Sequence, residues 1–162
     1  MKALLRTLIV GSAMALGATS VASTTSGPDA AMVGTWTLNL AKSKFTGDRA
    51  PRSLARTYRA TADGMDMTIT GVAADGQPIL QHTVYRYDGK DYPFTGASQF
   101  DTVTVRRIDA ERTQSTQKKG GKVISKSVRV LSKDGLVLTI SSHGTDAKGK
   151  QYFDSAVFDR KP

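Results

Sequence analysis

The sequence predicts an all-β protein: an antiparallel up-and-down barrel, a meander of about eight to ten strands, preceded by an export leader. Three observations carry that prediction. Turn dipeptides recur at intervals of a dozen or so residues, at Asp63-Gly64, Asp75-Gly76, Asp88-Gly89, Gly120-Gly121 and Asp134-Gly135. The segments between them alternate apolar and polar residues, and none shows a helical apolar stripe. Almost all connections are hairpin-short, whereas a Greek-key sandwich needs a long crossover, so the barrel is favoured.

Residues 1–22 read as a secretory signal peptide. Lys2 and Arg6 form a basic start, an apolar run follows over 8–18, and Ser20, Ala22 and Ser23 offer a cleavage site. The run is too short and too rich in glycine and serine to hold in a bilayer. A cleaved leader and a periplasmic or secreted product are expected. Residues 23–32 are small and polar around Gly27-Pro28-Asp29 and read as a linker. The barrel domain is then 33–162, within an exported chain on the order of 140 residues, enough for one core. There is no cysteine, which excludes lipid attachment after the leader and leaves burial and sheet pairing as the sources of stability.

The opening strand, 33–40, holds Trp36, the only tryptophan. A closed barrel needs one end plugged, and an indole is large enough to do it. Gly34 lets the backbone pass close under the ring. Arg160, at the end of the last strand (151–159), is placed to lie over the indole as a cation–π partner worth about 0.5–2 kcal/mol. That last strand must return to the first. Residues 41–51 allow one helical turn at most. Strands follow at 53–61, at 65–70, where Met65, Met67 and Ile69 alternate with Asp66, Thr68 and Thr70, and at 79–87. Pro93 cannot donate to a ladder, so Tyr92-Pro93-Phe94 belongs on an edge or in a bend. Strands at 100–108, 113–118, 122–131 and 136–142 complete the meander.

The formal net charge of +9 falls to +7 without the two cations of the leader. Outside the cytoplasm that excess suits anionic head groups, polysaccharide or acidic small molecules more than nucleic acid, or simply keeps the protein soluble. Lys118, Lys119, Lys122 and Lys126 gather around Gly120-Gly121, with Arg106, Arg107 and Arg112 expected nearby. Such a tip can touch an anionic membrane surface, and lysines on strands also discourage edge pairing.

Motifs for catalysis fail on inspection. Residues 144–150 match the glycine-rich part of a phosphate loop, but Gln151 replaces the magnesium-binding hydroxyl and a strand follows where a helix is needed. Ser115 and Lys118 have the spacing of a serine–lysine pair, yet an odd offset on a strand sends them to opposite faces. His82 and His143 stand in no metal-ligand spacing. Glu111, the only glutamate, sits in a turn beside Asp109 and Arg112. No cofactor and no metal are implied.

The stretch Val33-Gly34-Thr35-Trp36-Thr37-Leu38 resembles the start of calycin barrels, the lipocalins and fatty-acid-binding proteins, which open with a Gly-x-Trp strand. A second patch, Val128-Arg129-Val130-Leu131-Ser132-Lys133-Asp134-Gly135, is similar to a late hairpin of the fatty-acid-binding branch, where a basic residue before the turn points into the cavity. The resemblance implies that Arg129 faces the interior and can meet a ligand carboxylate. Two features differ: residues 41–51 are too short for that branch's helix pair, and Ala156 and Phe158 stand where its last strand carries an Arg-x-Tyr pair. The chain also looks like small exported bacterial barrel proteins of unassigned activity.

The reading is therefore an exported barrel binding a small apolar or amphipathic, and by the Arg129 resemblance anionic, molecule. Its interior is expected to hold Met65, Met67, Ile69, Val103, Val105, Leu136 and Leu138. Arg129, Ser127, Tyr58, Tyr85 and Tyr152 are the candidate polar contacts, with Ser127 on the same face as Arg129. Either face of 79–87 fits the interior, since both alternating sets mix polar and apolar residues. The alternative is a filled barrel acting as an envelope or stress interaction protein through its basic surface.

Overall fold

The computed structural model describes residues 30–162; the expected leader and the first part of the linker lie outside them. Ten strands follow one another: β1 (Gly34–Leu38), β2 (Ser53–Ala60), β3 (Met65–Val72), β4 (Pro78–Tyr85), β5 (Asp88–Pro93), β6 (Thr102–Arg107), β7 (Arg112–Lys119), β8 (Lys122–Leu131), β9 (Val137–Thr145) and β10 (Gln151–Arg160). They form one antiparallel sheet in the order β4-β3-β2-β1-β10-β9-β8-β7-β6-β5. No α-helix occurs among the described residues; residues 40–51 contribute only two single 3₁₀ turns, Leu40–Lys42 and Gly47–Arg49.

The first and last strands pair as expected, with Trp36 opposite Arg160 and Leu38 opposite Phe158. The sheet's free edges are therefore β4 and β5, which are consecutive in the chain. They meet through a short bridge in which the His82 N–H donates to the Thr95 carbonyl at 3.2 Å and the Thr95 N–H to that of His82 at 2.9 Å. The Thr83 hydroxyl adds a bond to the Pro93 carbonyl at 2.8 Å. Gly96 makes this approach possible, since a Cβ there would lie 2.0 Å from the Leu80 carbonyl oxygen. The barrel is thus nearly closed, with Pro93 on the edge strand its missing N–H requires.

Period-two patterning sends one side of each strand inward. Trp36, Tyr58, Met65, Met67, Ile69, Tyr85, Val103, Val105, Leu138, Ile140 and Phe158 form the core. Thr83 and Tyr85 are buried while His82 and Val84 are exposed, which settles the face of β4. Three expectations need correction. Leu136 is 56% exposed, because it lies in the turn before β9 rather than on the inner wall. The dipeptide Asp88-Gly89 opens β5, with a register shift between Asp88 and Asp91, instead of merely ending the preceding strand. The linker stops short of residue 32: Ala30–Met32 form a 3₁₀ turn and Met32 is buried.

That turn completes the plug. The fully buried indole donates its Nε1–H to the Met32 carbonyl at 3.0 Å. The Arg160 guanidinium lies 4.4 Å from the indole centroid. It also donates to the carbonyls of Gly135 at 2.7 Å and Val33 at 2.8 Å, and to that of Ala31. Gly34 has φ +132°, and a Cβ there would sit 3.0 Å from Arg160 Nη1, so a side chain is disfavoured by backbone and contact together. Trp36→Ala is expected to lower unfolding stability by about 3–5 kcal/mol. Arg160→Lys should cost less, about 1–3 kcal/mol, since an ammonium cannot hold three carbonyls spread around a planar fork. Urea unfolding checks both; a near-wild-type midpoint for Trp36→Ala would remove the plug.

Candidate functional site

β8 carries the strand pattern of a barrel turned inside out. Its inward residues are Ser125, Ser127, Arg129 and Leu131, while Val123 and Val130 are exposed. A stability-driven core asks for the opposite arrangement, so this strand spends burial on polar groups. Register extends the polar band across the wall: Ser115 faces Ser127, Ser127 faces Ser142, and Ser142 faces Asp154. The Ser127 and Ser142 hydroxyls are 2.9 Å apart, and the Ser125 hydroxyl donates to the Gln117 side-chain carbonyl at 2.7 Å.

Ser115, Gln117 and Ser127 of this band line one side of a cavity of about 90 Å³. Met67, Ile69, Phe94, Phe100, Val103, Val105 and Ile140 line the rest, with Phe94 and Phe100 packed edge to face at 4.6 Å. Two arginines reach the cavity, Arg129 from β8 and Arg56 from β2. Arg129 donates to the Tyr85 hydroxyl at 3.1 Å and lies 5.1 Å from the Tyr58 ring centroid. Three polar atoms here are sealed from solvent and make no hydrogen bond of good geometry, Arg56 Nε, Arg129 Nη2 and the Tyr58 hydroxyl, although both guanidiniums lie against that phenol.

The electrostatics follow from two cations and no facing carboxylate. Burial acts against the Arg129 charge, but the phenol oxygens of Tyr85, Tyr58 and Tyr87 outweigh it and its pKa is raised. Burial likewise pushes the Tyr58 phenol up, yet Arg129 and then Arg56 reverse that, holding it below the usual phenol value. For Tyr85 burial wins over Arg129, and its pKa is raised. Asp154, a buried acid on the inner side of β10, is engaged elsewhere, accepting from Arg49 Nε at 3.0 Å and the Thr46 N–H at 2.8 Å. No ion pair joins Arg56 or Arg129 to a carboxylate among the described residues.

Four of the five sequence-derived contacts therefore converge: Arg129, Ser127, Tyr58 and Tyr85 all line the cavity. Tyr152 does not. It has the inward parity, but it sits near the strand's start, beneath the Arg49 guanidinium at 3.7 Å and in a separate surface cleft with Asp146 and Lys148. Arg56 was missed, although its signal was available: it lies two residues before Tyr58 and so shares its face. The histidines lie on the outer wall, His82 against Asp66 at 3.1 Å and His143 stacked on Phe153 at 5.8 Å. Much of the basic tip is internally paired, Lys118 with Asp91 at 2.7 Å and Lys119 with Asp101 at 3.9 Å.

No family model matches the sequence, and no curated protein matches it. Among solved structures, the zebrafish ileal bile acid-binding protein complexed with cholic acid is similar at 14% identity, over 81% of this chain and 99% of that one, with a TM-score of 0.51. This barrel is calycin-like in fold. A redesigned β-barrel, mFAP1 bound to DFHBI, aligns at 14% identity over 83% of this chain and 100% of that one, with a TM-score of 0.43. At these identities the likeness is one of fold alone.

The split between the two phenols gives a measurable consequence. An anion beside Tyr58 disfavours phenolate, and by linkage phenolate disfavours the anion. Absorbance titration of tyrosinate should show one tyrosine ionising below pH ~10, absent in Tyr58→Phe and moved upward by a bound anion. Anion affinity should correspondingly weaken as pH rises toward that value. A titration unchanged by Tyr58→Phe would contradict this arrangement.

Proposed function

We propose that the protein is an exported barrel that binds a small amphipathic anion in its interior. One observation carries the reading: a buried guanidinium on an inward-facing strand, Arg129, lines a cavity with apolar walls and is paired with no carboxylate. Burying a cation is expensive unless a hydrogen-bonded counter-charge accompanies it. A ligand carrying an anionic head supplies that charge, and its apolar part meets Met67, Ile69 and Val105.

At about 90 Å³ the cavity holds a compact group rather than a whole drug-sized ligand, for which sites of ~300–1,000 Å³ are usual. A second hollow shares Arg56, Ile69 and Gln81 with it and continues outward past Phe45, Pro51 and Ala73. A head group inside with its tail along this hollow fits both volumes. A binding role is favoured over an enzymatic one by the placement of both histidines outside. Export rests on the leader pattern of residues 1–22.

Arg129→Ala should weaken an anionic amphiphile more than tenfold, the loss expected for a charge-assisted hydrogen bond of at least ~1.4 kcal/mol. Unchanged affinity in a calorimetric titration would take Arg129 out of the site. Native mass spectrometry of protein recovered from the periplasm should show cleaved chain carrying a small anion; uncleaved chain would overturn export.

A further inference from the structure

The proposed function leaves open what kind of anion the site takes, and the second arginine narrows it. Arg56 and Arg129 reach the cavity from opposite parts of the sheet, β2 and β8. Both act on the Tyr58 phenol, which is only 1% exposed and whose hydroxyl makes no hydrogen bond of good geometry. The three groups without such a bond are one Arg56 Nε–H, one Arg129 Nη2–H and one phenol O–H, three donors from three residues. Arg49 and Asp154 neutralise each other at 3.0 Å, so they leave the two cavity charges standing.

We propose that the head group bound here is a phosphate monoester dianion, its three terminal oxygens taken by Arg56, Arg129 and Tyr58. The inference rests on the interior-binding reading above and adds the ligand's charge and shape. Count and charge both favour it. A carboxylate has two oxygens and one charge, which suits a single guanidinium fork and leaves the other cation uncompensated in a water-poor space. A phosphate monoester offers three strong acceptor oxygens and, above its second pKa near ~6, close to two negative charges. The hydroxyls of Thr113, Ser115 and Ser127 on the adjoining wall add neutral donors without adding acid. The ester's carbon side then lies toward the apolar wall and the hollow beyond Ile69.

The test separates charge from shape. Butyl phosphate, butyl sulfate, pentanoate and inorganic phosphate are titrated calorimetrically against the cleaved protein at pH 5 and pH 7.5. Alkyl sulfate has the same three terminal oxygens but one charge at both pH values. The phosphate ester should bind about tenfold or more tightly than the sulfate at pH 7.5, and within about threefold of it at pH 5, where the ester is a monoanion. Arg56→Gln should bring the pH 7.5 ratio below about threefold, by costing the phosphate more than the sulfate; its melting curve verifies folding. Pentanoate binding as tightly as the phosphate ester, with no pH dependence, would overturn the dianion while leaving interior anion binding in place. Inorganic phosphate equalling the ester would overturn the monoester in favour of free phosphate. Failure of all four to bind the wild-type protein would sink the interior-binding reading itself.

Discussion

A single side chain, Arg160, holds the barrel's closed end together. Its guanidinium lies on the Trp36 indole and gathers carbonyls from Ala31 and Val33, both in the chain before β1, and from Gly135 in the turn before β9. A planar cation with five donors in fixed directions suits this role better than any other residue. Because β1 and β10 are clasped here, the meander must close with its free edges elsewhere, at β4 and β5. There the contact is thin, a pair of backbone bonds and two threonine hydroxyls, those of Thr83 and Thr95. The molecule has one well-tied end and one lightly tied seam.

That division has a functional side. The plugged end supplies the apolar burial on which a cysteine-free chain depends. The middle and far end are then free to carry groups that cost stability: serines along β7, β8 and β9, two guanidiniums and two buried phenols. The outward valines of β8 show that the strand's apolar residues were not withheld, only turned to the other side. Arg129 recovers part of its desolvation cost from the Tyr85 hydroxyl and the Tyr58 ring, and neither it nor Arg56 has a carboxylate partner. The anion proposed above would supply the missing counter-charge.

Most of the fold was legible because strand periodicity and turn chemistry are local. Asp134-Gly135 and Gly120-Gly121 mark hairpins wherever they occur, and Met65, Met67 and Ile69 declare an inner face without any partner. Arg129 was placed by the likeness of its hairpin to the fatty-acid-binding branch, and Ser127 by lying two residues from it on the same face. Tyr152 and Leu136 failed although their parity is right, since parity says which side a residue faces and not how far along the barrel the wall extends. Leu136 sits in the turn before β9, and Tyr152 near the start of β10 under the Arg49 guanidinium. Arg56 was overlooked beside Tyr58 because a charged residue on an apolar-leaning strand reads first as solvent-facing.

The sequence by itself determined the all-β meander, the pairing of the first and last strands, and the cation–π contact between Arg160 and Trp36. These follow from residue type, spacing and the need of a cysteine-free sheet to leave as few edges as it can. Only the tertiary structure decided that the seam falls between β4 and β5, and that Arg56 and Arg129 share one cavity from strands far apart in the chain. Both depend on register and curvature summed over ten strands, and no local stretch of residues encodes such a sum.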